Sequence, residues 1–292
     1  MDLHGIYVPL VTPFTDGGEL AAGALERLAH EVLDEGAAGL VALGTTAEAA
    51  TLDDAERRTV VELCARVCRE RGATLIVGAG SSDTRRSAEA LAKLAGADAA
   101  LVAVPAFSRP GEEGVLAHFA YLAERSPVPL IVYHIPYRTG QTLSAAALRR
   151  LGGLPGVAGV KLAVGGVDQA AMELLGDVPP GFAVLAGDDL YLSPLLALGA
   201  AGGILAAAHL ATGRFVELAE AWGKGDAEHA RALGHRLAAM AGAAFAEPNP
   251  TVIKGVLHAQ GRIPSPAVRL PLLPAGRASV DHALERLAAL AC

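Results

Sequence analysis

The chain has 292 residues, enough for one large domain or two small ones. Hydrophobic residues make up 52% and charged residues 19%, a balance that can build a sizeable core and does not suit a disordered chain. The net charge is −7 with no basic run, which argues against nucleic acid and against an anionic membrane surface as partners.

A first strand is predicted over residues 6–12, ended by Pro13. Residues 19–36 follow with a helical period, carrying Leu20, Leu25, Leu28, Val32 and Leu33 on one side. A second strand, 39–43, runs into Gly44-Thr-Thr-Ala-Glu48, and a helix over 53–71 has Asp53 or Thr51 as N-cap. Alternation continues with strand 74–79, helix 83–94, strand 99–104 stopped by Pro105, and helix 112–125 broken by Ser126-Pro-Val-Pro129. Strand 130–134, helix 144–151, strand 157–161, helix 168–175, strand 182–185, helix 190–198 and strand 203–206 complete the series.

Most of these apolar runs are continuous rather than alternating, the mark of parallel strands buried on both faces. The strand ends fall near 13, 44, 79, 105, 134, 161, 186 and 207, close to the spacing of eight βα units. The expected fold is therefore an α/β TIM (β/α)8 barrel over residues 1–222. Residues 223–292 form a C-terminal helical extension folded onto it, with helices over 226–245, 251–260 and 280–290. Cys64, Cys68 and Cys292 make no disulfide framework. Cys64 and Cys68 are four apart on a helix and are expected on its buried face, since no neighbouring Cys or His completes a zinc set. No metal is expected. The start of the chain lacks a positive segment followed by an apolar one, and runs such as 195–198 are interrupted by glycine well short of membrane length. A cytoplasmic protein without membrane attachment is expected.

In such barrels the chemistry sits at the C-terminal ends of the strands. Lysine is scarce: Lys93, Lys161, Lys224 and Lys254 stand against twenty arginines, and only Lys161 ends a buried strand. Burial lowers an ammonium's pKa, and the resulting neutral amine attacks carbonyls. Lys161 is thus either a Schiff-base lysine or a lysine that snorkels to a strand end. Gly44, Thr45 and Thr46 follow strand two, where backbone N–H groups and hydroxyls suit a carboxylate, or simply make a turn. Tyr133 ends strand five, as a proton shuttle or a half-buried aromatic. Arg138, just past Pro136, suits a substrate carboxylate or a surface ion pair. Asp188 and Asp189 follow Gly187 after strand seven, where they suit a metal or hydroxyls, with Asp189 alternatively the N-cap of the next helix. A buried lysine, a carboxylate cradle, a phenol and an arginine on one rim converge on one chemistry. A 2-keto acid condenses with the lysine, and the protonated imine draws electrons from the neighbouring carbon.

Several segments together are specific for one family: Tyr7-Val-Pro-Leu-Val-Thr-Pro-Phe14, Gly44-Thr-Thr-Ala-Glu48, Tyr133-His-Ile-Pro136, Arg138-Thr-Gly140, Gly159-Val-Lys161, Gly187-Asp-Asp189 and Glu247-Pro-Asn-Pro250. Through nearly its whole length the chain resembles the dihydrodipicolinate synthase and N-acetylneuraminate lyase family of pyruvate-dependent, Schiff-base aldolases. The resemblance implies a TIM barrel with a helical extension, assembled as a homotetramer (a dimer of dimers) or a homodimer, and no cofactor beyond the covalent imine. It matches Lys161 to the imine lysine, Thr45 and Thr46 to the pair that holds the pyruvate carboxylate, and Tyr133 to the catalytic phenol. It matches Arg138 to the arginine that binds the aldehyde's carboxylate, and Gly187 and Ile204 to pocket-lining positions.

The Arg138-Thr-Gly140 segment is similar to the synthases, as are Lys254 and Arg269-Leu-Pro271. Sialic-acid lyases carry Asp-Glu where this chain has Asp189-Leu190, while Tyr133-His-Ile-Pro136 leans toward the lyases. The synthases also carry two tyrosines after the strand-four proline, the second completing a proton relay in a neighbour's site. Here Ala106 and Phe107 follow Pro105, so the relay lacks a hydroxyl. Ala47 stands where the family usually has glycine, a change that bears on the loop's φ. The expected function is condensation of pyruvate with an aldehyde such as aspartate semialdehyde. The alternatives are a 2-keto-3-deoxy sugar-acid aldolase or dehydratase, or an N-acetylneuraminate lyase-like enzyme, on the same imine, and a non-catalytic keto-acid binder.

Overall fold

Eight parallel strands close into a barrel in sequence order: β1 (Gly5–Pro9), β2 (Gly39–Ala42), β3 (Thr74–Gly78), β4 (Ala99–Ala103), β5 (Leu130–His134), β6 (Val157–Leu162), β7 (Ala183–Ala186) and β8 (Gly202–Ile204). The structure is a computed structural model describing residues 3–94 and 96–290. Cys292 lies outside the described residues. The continuous apolar runs explain the sheet: β2 and β5 are buried at every position, as strands covered on both faces must be.

The helices are α1 (Ala22–Asp34), α2 (Asp54–Arg71), α3 (Thr84–Leu91), α4 (Gly111–Ala123), α5 (Pro136–Thr139), α6 (Ala145–Gly152), α7 (Gln169–Leu175), α8 (Leu192–Ala197) and α9 (Ala208–Gly223). Three more follow: α10 (Ala227–Ala244), α11 (Thr251–Ala259) and α12 (Arg277–Ala288). Several starts sit one residue inside the expected range because the polar first residue is a cap. Asp83, Ser144, Asp168 and Asp226 each accept a backbone N–H of the first turn. Asp53 is the cap of α2 and forms a reciprocal capping box with Glu56, so Thr51 is not.

Beyond shifts of a few residues at element ends, as in β8, α1, α3 and α12, three features differ from the sequence reading. β1 stops at Pro9, and the next donors are met outside a ladder: Leu10 N–H by Val41, and Val11 N–H by the His209 ring nitrogen at 3.1 Å. A 3-10 turn over Asp189–Tyr191 delays α8 to Leu192, and Asp189 lies inside that turn rather than capping a helix. Helices α5 and α9 are absent from the sequence reading, although α9 buries Thr212, Phe215, Leu218 and Ala221 at helical spacing. α5 is four residues long between Pro136 and a left-handed Gly140, and α9 begins after Ala207, which has no capping side chain.

The chain groups into two compact units. One holds residues 76–204 with the segment ending at Gly5, and the other holds 6–75 with 205 onward. The first has a core of Ile76, Val102, Ile131, Val132, Val160 and Leu185 with Phe119 and Leu148 from the helices. In the second, α1 packs on α2 and α9, α10 on α9 and α12, and α11 on α12 and α9. Cys64 and Cys68 are buried, and burial pushes the Cys64 thiol well up. Among the described residues no helix is long and apolar enough to cross a membrane.

Candidate active site

Lys161 is the fifth residue of β6 and is 5% exposed. Parallel register pairs it with Tyr133 of β5 on one side and Leu185 of β7 on the other. Its Nζ stands over the Tyr133 ring, 4.6 Å from the centroid. Burial lowers its pKa from the usual 10.5 to about 8. The carboxylates of Asp189 and Asp188 and the Tyr137 phenol oppose that shift, and the Arg138 guanidinium adds to it. At neutral pH a useful share of this amine is therefore uncharged and nucleophilic. Lys93 and Lys224 are exposed, and Lys254 is buried in an ion pair, so Lys161 alone combines burial with a strand end.

The same unit places the other expected groups around it. Tyr133 is buried at the end of β5. Arg138 sits on α5, where its Nε donates to the Tyr137 hydroxyl at 3.2 Å, and its guanidinium lies 5.5 Å from the centre of that ring. Asp188 is anchored by the Gly165 N–H, 2.7 Å from Oδ2, and burial raises its pKa. Gly187 has a steric reason to be glycine. A Cβ there would lie 2.9 Å from both Lys161 Cγ and Ala163 Cβ, and 3.0 Å from the Leu162 carbonyl oxygen. The glycine lets β7 close directly on the lysine's stem. Register pairs Ala186 with Gly203, and continuing it brings the buried Ile204 beside Gly187. His134 is buried with its pKa lowered to about 4 by burial, so it is neutral at pH 7. Phe107 is 93% exposed and held at φ +65°, a left-handed conformation that a bulky residue seldom adopts.

Thr45 and Thr46 belong to the other unit, on a 3-10 turn over Thr45–Ala47 that follows β2. Thr45 is exposed and Thr46 buried. Asn249 Nδ2 donates to the Thr46 hydroxyl at 2.9 Å. The left-handed residues flanking the turn are Leu43 and Glu48, not Ala47, so alanine in place of the usual glycine imposes no φ strain there. Glu48 is buried and paired with Lys254.

The sequence reading gave Glu48 and Asn249 only within motifs, named Lys254 as a synthase-like lysine without a role, and did not single out Tyr137. A signal for Tyr137 was present, an aromatic directly beside the candidate arginine. The Glu48–Lys254 pairing spans 206 positions and has no local signal. Among the described residues no group of His, Cys, Asp and Glu has the arrangement of a metal site. What the first unit assembles is a nucleophilic amine against a phenol, with carboxylates and a guanidinium close by.

Comparison with known proteins points the same way. A family model described as the dihydrodipicolinate synthetase family matches residues 2–289. The chain is 35% identical over 276 residues to "4-hydroxy-tetrahydrodipicolinate synthase 2" of Clostridium acetobutylicum, covering 94% of this chain and 96% of that one. It is similar in structure to a dihydrodipicolinate synthase of Thermotoga maritima, with TM-score 0.94 and 30% identity over 100% of this chain and 99% of that one. A chloride-inhibited dihydrodipicolinate synthase of Acinetobacter baumannii, complexed with pyruvate, matches with TM-score 0.92 and 33% identity, over 98% and 99% of the two chains.

Proposed function

The chain belongs to the dihydrodipicolinate synthetase family, and from that premise we propose how its own residues carry out the reaction. It is a class I, Schiff-base aldolase-type lyase that condenses pyruvate with an aldehyde. The sugar-acid alternative is not favoured by relatives named as synthases.

The observation that carries the proposal is the buried Lys161 amine, its pKa brought to about 8, standing over the Tyr133 ring. In its neutral form Nζ adds to the keto carbon of pyruvate. Tyr133 passes a proton to the departing hydroxyl, water leaves, and an imine remains. The protonated imine withdraws electrons from the methyl carbon, which loses a proton and then attacks the aldehyde carbon. Because the imine is itself the electron sink, the carbon–carbon step needs no further cofactor. Thr45 and Thr46 hold the pyruvate carboxylate with a hydroxyl and backbone N–H groups, and Thr45 shares the family's proton relay with Tyr133. Arg138 receives the carboxylate of an acidic aldehyde such as aspartate semialdehyde, by charge-assisted hydrogen bonds. The Tyr137 hydroxyl holds that guanidinium in place. Gly187 and Ile204 shape the wall around pyruvate.

The assembly we propose is a homodimer or a dimer of dimers. The exposed, left-handed Phe107 supports it, since an aromatic held outward in that way suits a neighbour's site better than water. The test is borohydride reduction in the presence of pyruvate, followed by peptide mapping. A lactyl-sized mass on Lys161 is expected, and product should form when aspartate semialdehyde is added. No adduct, or an adduct on another lysine, would overturn the assignment.

A further inference from the structure

The turn that bears Thr45 and Thr46 is held by a buried ion pair that the reaction does not use. Lys254 Nζ lies 2.7 Å from Glu48 Oε1, with the two side chains 0% and 1% exposed. The same ammonium donates to the Thr12 carbonyl at 2.9 Å and lies 4.2 Å from the centre of the Phe14 ring. The other oxygen of Glu48 accepts the Arg269 backbone N–H at 2.8 Å. Burial lowers the pKa of Lys254, and Glu48 opposes that.

Such a pair is an inefficient way to stabilise a fold, because desolvating two charges consumes most of their attraction. Its geometry is more informative. Glu48 stands three residues after Thr45, at φ +53°, and its own N–H closes the turn on the Thr45 carbonyl at 3.2 Å. A side chain other than glycine stays in that conformation only where its surroundings over-determine it, and here both carboxylate oxygens are tied down. The turn is also tied at two further points. The Thr12 hydroxyl donates to the Ala47 carbonyl at 2.7 Å, and Asn249 donates to Thr46 Oγ1 at 2.9 Å. Asn249 and Lys254 lie five positions apart, before and on α11, so one segment grips the turn twice. By donating to Thr46, Asn249 occupies a lone pair and leaves the threonine's own O–H to donate to an anion.

We propose that the Glu48–Lys254 pair is a positioning device: it fixes the Thr45–Thr46 turn in its anion-accepting shape and so sets the pyruvate concentration needed for imine formation. This rests on the reading that the turn holds the pyruvate carboxylate. Single substitutions leave an unpaired buried charge, so the test uses the Glu48→Gln/Lys254→Met double variant, with its fold checked by circular dichroism. The readout is the fraction of protein trapped by borohydride as pyruvate is varied, with acetone, a ketone without a carboxylate, as the control. The double variant should need roughly ten times more pyruvate for half-saturation, about the loss of one hydrogen bond to a charge, while trapping by acetone keeps its wild-type rate. Thr46→Ala should raise the pyruvate requirement as well. If Thr46→Ala leaves it unchanged, the carboxylate reading fails and the inference loses its basis. If Thr46→Ala raises it and the double variant matches wild type, or loses acetone trapping in proportion, the pair does not position the turn. Should the double variant not fold, Glu48→Gln/Lys254→Gln replaces it, since two amides hydrogen-bond to each other and leave no charge buried. The same selective shift is then expected, and its absence overturns the proposal.

Discussion

Replacing Lys161 by methionine should remove the chemistry and stabilise the protein. The buried ammonium's pKa falls from the usual 10.5 to about 8. At 1.36 kcal/mol per unit, the folded state carries a penalty of about 3 kcal/mol for keeping that charge at neutral pH. Methionine keeps the stem and its packing, and a near-isosteric apolar swap costs under about 1.5 kcal/mol. A net gain of about 2 kcal/mol is expected, worth roughly 4 °C in melting temperature at the two degrees per kcal/mol of larger domains. The sign follows from proton counts. Below pH 8 most of the folded lysine and all of the unfolded lysine is protonated, so wild type bears nearly the whole penalty. Between about 8 and 10.5 the unfolded chain holds a proton that the folded chain has lost, so wild-type stability rises with pH. Above that range both states are neutral and the penalty is gone. Melting curves of wild type and Lys161→Met at pH 7 and pH 10.5 test this, with borohydride trapping as the activity check. A variant that melts no higher than wild type at pH 7, or a gap that does not close at alkaline pH, would refute the reasoning.

Four further outcomes are expected. Phe107→Tyr adds a hydroxyl at a highly exposed position, where the proposed proton relay would use one. It should raise turnover with pyruvate and aspartate semialdehyde at least about tenfold, a modest share of the usual general acid–base contribution, and a paired steady-state assay decides it. Tyr133→Phe should lower carbon–carbon bond formation by about 10²-fold or more, read by product mass at saturating pyruvate. Gly187→Ala drives a methyl group to 2.9 Å from the Lys161 stem, so the rate of pyruvate trapping should fall severalfold and the melting temperature with it; unchanged trapping would show that β7 yields. L-Lysine at millimolar concentration should leave the melting temperature unmoved. Ala106 offers such a ligand neither an aromatic face nor a side-chain hydrogen bond. Arg57, held by the carbonyls of Ala49 and Leu52, repels any ammonium brought near it.

The fold was legible because its signals are local. Continuous apolar runs of strand length at regular spacing, set between helical periods, read as buried parallel strands, and Asp53, Asp83, Ser144, Asp168 and Asp226 mark helix starts by chemistry acting within one turn. Lys161 stood out because a scarce residue ended a buried strand, and Tyr133 because it ended the strand before it. Short or uncapped helices such as α5 and α9 escaped notice, since four residues cannot show a period and alanine cannot cap. Tertiary structure decided whatever depends on distance through space. It set the register that puts Tyr133 opposite Lys161, the burial that brings the amine to a pKa of about 8, and the closeness of β7 that makes residue 187 a glycine. It also paired Lys254 with Glu48 across 206 residues and Asn249 with Thr46 across 203. No local pattern foretells such pairs, because desolvation and hydrogen-bond geometry arise only when remote segments pack together.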